Sequence, residues 1–381
     1  MQNVSHYYNP FNMWTIFHTE ASLGWGGQEI RILNESMGMR DLGHEIIIIT
    51  PANSTLMKKA SDRRFEVISA SFNRKDYPAT CFKILKLIQL KRPDFINTHS
   101  SKDSWVASFA ARLSNYKPFI IRTRHLSTPV ATNIFGSVIY KLLPHKIITT
   151  GETIREQLIE RNHVSPEKIV SIPTGVDFKL FDPKKSKKKI RRELSLTENT
   201  PLVGMVSVLR SWKGHNFFID ATATVLKKFS NVRFLIVGDG PRKENLTKII
   251  QEKGLSETIF MLGHREDVPD IMASLDILVH PSYANEGVPQ SIIQGMAMGV
   301  PVIASNIKSL SEVVTDGKTG LLSPRKDSGK LAKRIILLLK NKELMRKMGN
   351  NGRKFVVEKF SMERMISSIE NLYKNMAGNL R

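Results

Sequence analysis

The sequence predicts an α/β protein built as two Rossmann-like domains that face each other across a cleft. Three observations lead there. Apolar, β-branched runs alternate with segments of helix length in both halves of the chain, the pattern of parallel strands covered by helices on both faces. A polar, basic seam over residues 174–200 separates the halves. The 381 residues exceed one compact α/β domain and suit two.

In the first half the expected strands are Trp14–His18, Glu45–Thr50, Glu66–Ala70, Asp94–His99, Phe119–Thr123 and Lys146–Thr150. In the second they are Leu202–Leu209, Val232–Val237, Thr258–Leu262, Asp276–His280, Val300–Ala304 and the short Leu321–Ser323. Ser361–Met376 carries Met362, Met365, Ile366, Ile369, Leu372 and Tyr373 at helical spacing and reads as a terminal helix. Cys81–Leu90 and Val130–Leu143 are amphipathic, suiting either a core-facing helix or a membrane surface. Ligands of such sheets bind at the C-terminal ends of the strands, so residues that follow strands are the candidates for chemistry.

Composition narrows the function classes. The net charge of +22 favours polyanions, and seven of the nine residues Lys184–Arg192 are basic, with further clusters at Lys83–Arg92 and Lys340–Lys354. Suitably placed Lys or Arg contributes about 1 kcal/mol each at an anionic membrane. Specific nucleic-acid binding is disfavoured, because no helix-turn-helix, zinc finger or aromatic RNA platform accompanies the charge. One cysteine, Cys81, excludes an intramolecular disulfide. No apolar run approaches a membrane span, and the first fifteen residues lack the form of a secretion signal. The expected location is cytoplasmic, with peripheral attachment to the inner face of the membrane.

The densest signal is Asn285–Ser305. Glu286 precedes a turn, and Pro289 is placed to open a helix. The amides of Gly287, Val288, Gln290 and Ser291 then lie unpaired at a positive dipole end, suited to an anionic or hydroxyl-rich ligand. Gln294 falls one turn further on, and Val300–Ala304 reads as a buried strand. Strand Leu202–Leu209 ends in Arg210, Ser211, Trp212, Lys213 and Gly214, a cation pair able to neutralise a diphosphate. Gly26 and Gly27 open a helix after the first strand, where backbone can approach a ligand closely. Glu20, His99, Asp103 and His125 follow strands of the first half. Gly238–Pro241 lacks the third glycine of a dinucleotide fingerprint. Neither His-Glu-x-x-His nor Asp-x-Asp occurs, so a catalytic metal is not expected.

These elements resemble the retaining glycosyltransferases of family 4, which have the two-domain GT-B fold. The resemblance lies in Glu286 with its seven following residues, the Gly-x-Pro-Val-Ile-Ala strand, Lys213-Gly214, Gly238-Asp239-Gly240-Pro241, the segment Leu262–Val268, and Gly26-Gly27-Gln28-Glu29. Two departures stand out. Gln294 replaces the family's second carboxylate, and Arg210 lies two residues beyond Val208, where the family spacing places its arginine.

The resemblance implies an acceptor-side domain over residues 1–190, a donor domain over 191–360, and a helix over 361–381 that returns to the first domain. It implies a nucleotide-diphosphate sugar as donor and no bound cofactor. Lys213 and Arg210 would hold the diphosphate, Glu286 the sugar hydroxyls, and His125 the sugar from the opposite wall. Main chain near Arg265 and Val268 would flank the base, Gln294 the ribose, and Gly26 and Gly27 the donor. From their place at strand ends, and not from the resemblance, Glu20, His99 and Asp103 are candidates to face the acceptor, and the basic charge with the amphipathic stretches suggests a glycan or lipid-linked glycan of a bacterial lipopolysaccharide or cell-surface polysaccharide. The competing readings are a non-catalytic nucleotide-sugar-binding regulator on the same fold and a basic nucleic-acid-binding protein.

Overall fold

The computed structural model describes residues 13–185, 188–284 and 286–378. The first twelve residues, on which the expectation about a secretion signal rests, and Asn285 lie outside the described residues. Two sheets are present, and every strand pairing in them is parallel.

The first sheet holds β1 Thr15–Thr19, β2 Glu45–Thr50, β3 Glu66–Ser69, β4 Phe95–Thr98, β5 Phe119–Arg124, β6 Lys146–Thr149 and β7 Ile169–Ser171, in the order β3-β2-β1-β4-β5-β6-β7. The second holds β8 Leu202–Val206, β9 Arg233–Val237, β10 Ile259–Gly263, β11 Ile277–His280, β12 Val302–Ser305 and β13 Gly320–Ser323, in the order β10-β9-β8-β11-β12-β13. Strand order reverses between β1 and β4 and again between β8 and β11. A crevice opens outside the strand ends at each such switch point.

The helices that matter for the site are α1 Gly27–Asp41, α2 Ser101–Leu113, α3 Glu152–Glu160, α4 His215–Leu226, α5 Gln290–Ala297 and α6 Met362–Gly378. Helix α6 packs Met365, Ile369 and Tyr373 into the core of the first sheet, with the Tyr373 ring stacked 4.3 Å from Phe95. The chain therefore crosses between domains twice, and the crossings touch at a Val176–Ser361 bridge. A methyl group at Gly175 would stand 2.6 Å from the Met362 Cα, so only glycine lets these segments meet.

Three details differ from the sequence reading. Strand β7 is additional, a three-residue edge strand too short to leave a pattern. Strand β8 stops at Val206, because Leu209 turns its amide to the Asp239 carbonyl. Val176, Phe181 and Ile190 all pack in the second core, so the chain enters that body ahead of residue 190. The amphipathic segment 130–143 forms a short helix, Ile134–Ser137, that widens into a π-type turn over Val138–Leu142. Among the described residues no helix is long and apolar enough to cross a membrane.

Candidate active site at the interdomain cleft

The wall supplied by the second domain is built from the ends of β8 and β11. After β8 the chain makes a 3-10 turn, Ser211–Lys213, and Gly214 follows with φ of +82°, a left-handed conformation that starts α4. A side chain at Gly214 would also strike the Pro281 carbonyl, 2.1 Å away. This close packing delivers Lys213 to the loop after β11. Its Nζ donates to Glu286 Oε1 at 2.7 Å, with the two side chains only 14% and 5% exposed.

His280, the last residue of β11, places Nε2 3.6 Å from the same carboxylate oxygen. The Ser282 and Ser291 hydroxyls lie 3.1 and 3.3 Å from its two ring nitrogens. Burial keeps His280 neutral. Burial alone would push the Glu286 carboxyl up, but Lys213 and then the neighbouring His280 overcome it and hold the acid at about 2. The site thus holds a fully formed carboxylate against the Lys213 Nζ.

Helix α5 begins at Gln290, with Pro289 in extended conformation ahead of it (φ −69°, ψ 129°). Gln294, one turn in, donates to the Gln290 side chain at 3.4 Å. The loop before α5 presses on the first domain. A methyl at Gly287 would sit 2.5 Å from the His125 carbonyl oxygen, one at Gly151 would sit 3.2 Å from Val288, and one at Gly27 would sit 3.4 Å from Gln290. So Gly27, His125, Gly287, Val288 and Gln290 gather at one place.

Arg210 stands apart from the ion pair, exposed, with its guanidinium 5.4 Å from the Trp212 ring. The Arg265 side chain is committed to Glu193 and Asp267 at 2.5–2.9 Å, and Val268 opens the next helix.

The wall supplied by the first domain presents groups that burial shifts toward their neutral forms, with the arginines Arg31, Arg122 and Arg124 close behind them. Glu20 follows β1 and accepts from the Ser22 amide at 2.7 Å and from the Gln28 side chain. Burial first, then the neighbouring acids Asp103 and Glu29, push its carboxyl up to about 8. Gly26 caps α1 and donates to Glu29 at 2.8 Å. Asp103 is fully buried and accepts from Thr19 Oγ1, the His99 amide and the Ser100 amide at 2.8–2.9 Å. That makes it the third-residue partner of the Ser100 capping box at the start of α2, with no exposed atom to offer an acceptor. His99 is also enclosed, 4% exposed, between His18 and His125.

Ion pairs and caps hold the walls together at the flanks. Lys59 Nζ reaches Glu266 at 2.6 Å, and Lys308 reaches Glu156 at 2.5 Å. Glu312 accepts from the amides of Glu152 and Thr153 at 2.8 and 2.6 Å, capping α3 from the other domain. Among the described residues no cluster of three His, Cys, Asp or Glu could hold a metal ion.

Sequence reasoning missed His280, His18 and Gln28. His280 carried the same signal as His125, a histidine at a strand's C-terminal end. His18 lay inside an apolar run, where an imidazole reads as core.

Two family models match this chain, one described as Glycosyltransferase Family 4 over residues 25–180 and one as Glycosyl transferases group 1 over residues 186–355. A UDP-Gal:alpha-D-GlcNAc-diphosphoundecaprenol alpha-1,3-galactosyltransferase of Escherichia coli is 28% identical across 78% of this chain and 79% of that enzyme. The N-acetyl-alpha-D-glucosaminyl L-malate synthase of Bacillus anthracis is 24% identical across 88% and 90%. A glycosyltransferase structure from Rickettsia africae superposes with a TM-score of 0.85 at 25% identity, covering 97% of this chain and all of that one. HepE of Anabaena, solved with UDP and glucose, gives 0.84 at 21% identity over 95% of this chain and all of that one. With both domains matched in order and two parallel sheets meeting at a shared cleft, the chain belongs to glycosyltransferase family 4, has the GT-B fold, and acts on nucleotide sugars.

Proposed function

We propose that this enzyme moves a hexosyl-type sugar from a nucleotide diphosphate to a lipid-linked glycan, with retention at the anomeric carbon and without a metal. The observation that carries the reading is the Lys213–Glu286 pair, set beside His125 where the switch points of both sheets meet.

An ammonium has three protons, and Glu286 occupies one. The others are available to a diphosphate as negative charge develops on it, and the amides at the start of α5 add to that stabilisation. Arg210, perched on Trp212, is the reserve cation that reaches the diphosphate when the donor arrives. Glu286, kept ionised, accepts from sugar hydroxyls and sets the ring. His125 holds the sugar from the opposite wall. Cleft closure excludes the water that would otherwise compete with the acceptor. Retention follows the family's front-face route, which needs no second carboxylate as nucleophile.

For the acceptor, the named substrate of the Escherichia coli relative, a sugar on diphosphoundecaprenol, supports a lipid-linked glycan of envelope polysaccharide synthesis. An apolar surface on the first domain fits that reading. Phe109 and Phe135 are 43% and 66% exposed, and both pack on the Trp105 ring. Phe82, Leu113 and Ile134 are exposed on the same domain. The net charge of +22 suits an anionic bilayer.

A nucleotide-release screen of UDP-, GDP- and ADP-sugars, with and without a polyprenyl-diphosphate-linked sugar, tests the proposal. Acceptor-dependent release of one nucleoside diphosphate is expected. Binding of a nucleotide sugar with no release under any condition would make the protein a regulator and sink the transferase reading. Sedimentation with liposomes at graded salt tests the surface, and indifference to anionic lipid would remove it.

A further inference from the structure

Three imidazoles stand in line at the C-terminal ends of β1, β4 and β5, and only the last enters the proposed reaction. His18 Nδ1 lies 2.9 Å from His99 Nε2, and His99 Nδ1 lies 3.1 Å from His125 Nε2. All three are buried, at 0%, 4% and 9% exposure. Burial is the main reason each titrates below the ordinary imidazole range, with nearby arginines adding to it and, for His99, the two flanking imidazoles. Each ring therefore carries one proton.

A neutral chain of this kind has two consistent orientations. His99 owns a single N–H, so it donates to one neighbour and accepts from the other. If the protons run inward, His125 donates to His99, His99 donates to His18, and His18 keeps its own proton on Nε2. That Nε2 is buried without a hydrogen-bond partner. The fully buried Arg31 guanidinium, its Nε 3.6 Å from Glu35 Oε2, also lies close enough to oppose positive charge on His18, and its Nη2 has no hydrogen-bond acceptor. Stranding an N–H there puts a dry donor beside a cation, the costlier choice. A lone pair on that nitrogen instead faces a favourable field. If the protons run outward, His18 Nδ1–H donates to His99, and His99 Nδ1–H donates to His125 Nε2.

The geometry points to His18 and His99 as positioning residues that fix His125 in its Nδ1–H tautomer, with its one proton on the ring nitrogen left over from the chain. His125 then meets the bound sugar as a donor, toward a sugar oxygen, and not as an acceptor. This consequence rests on the reading of His125 as the contact to the donor sugar. The tautomer itself does not. The position of His125 is held independently, since its carbonyl packs against Gly287 and accepts from Thr150 Oγ1 at 3.3 Å.

Long-range proton–nitrogen correlation spectra of the full chain, labelled with 15N-histidine at neutral pH, decide the matter. The expected result is a protonated Nδ1 and a bare Nε2 at His125, the reverse of the usual preference of free histidine. A protonated Nε2 at His125 overturns the proposal. His99→Phe should return His125 to the Nε2–H form, whereas His99→Gln, which can still donate, should retain Nδ1–H. A His125 tautomer unmoved in folded His99→Phe also overturns it. Should that variant not fold, the wild-type spectrum alone is decisive. Full transfer activity in His125→Ala would remove His125 from the sugar site and leave the tautomer standing, so the two failures are told apart.

Discussion

Each domain brings strand ends to the same cleft, yet the two walls are polar in opposite ways. The second domain sets the Lys213 Nζ on a formed carboxylate, Glu286, with neutral His280 beside them. The first domain lines its side with groups that burial keeps uncharged, His99, His125 and a protonated Glu20. Fixed charge suits a wall where charge develops during reaction, because it needs no rearrangement at that moment. Neutral donors and acceptors suit a wall that orients hydroxyls, where a full charge would cost desolvation and gain little.

The comparison breaks most visibly at Lys213. Lys213→Ala should lower transfer by about 10²–10³-fold, the scale of losing one preorganised stabiliser of developing charge. It should also cost on the order of 3 kcal/mol of stability, since Glu286 is left buried without its partner. Steady-state kinetics and urea unfolding measure both, and a loss under fivefold in transfer would mean the charged wall is not where the leaving group sits.

Acid distinguishes the walls next. His18, His99 and His125 are neutral when folded and protonate below their ordinary range, so the unfolded chain binds more protons once pH falls below about 6.5. Their contribution is present above that pH and declines on acidification. Glu286, depressed to about 2, contributes above the ordinary carboxylate range and loses its contribution only as pH falls toward that value. Glu20, raised to about 8, works the other way, contributing in acid and losing its contribution as pH rises through 8. Urea midpoints should therefore fall between pH 6.5 and 5 while the Lys213–Glu286 pair is still intact. Glu20→Gln should raise the midpoint at pH 8.5 more than at pH 5. The fall should be steeper in Glu20→Gln, which lacks the opposing carboxyl, and an equal slope in the two proteins would refute the neutral wall.

The smallest effect is expected at Gln294. An amide there can donate and accept, whereas the carboxylate it replaces only accepts. Gln294→Glu should shift donor affinity by about tenfold, or about 1.4 kcal/mol, measured by calorimetric titration with the donor found in the release screen. No change would place Gln294 away from the ribose.

Much of this architecture was readable in the chain because buried parallel strands spell themselves out, as Glu45–Thr50 does with four consecutive isoleucines. Strand β7 was not, since three residues at a sheet edge leave no periodicity. Glu286 and Lys213 were legible as residues that follow strands. Their contact was not derivable from spacing, because 73 residues separate them and the approach depends on Gly214 packing against Pro281. The imidazole line was invisible for a related reason. His18 and His99 are 81 positions apart, and only the parallel pairing of β1 with β4, which sets His18 opposite Asn97, brings them within reach.

Glu312 gives the cleft a property that neither domain has alone. It caps the first turn of α3 from across the gap, and a lost cap costs about 1 kcal/mol. Parting the lobes would strip two amides of their acceptor, so the turn that loosened would belong to the lobe that did not supply the cap.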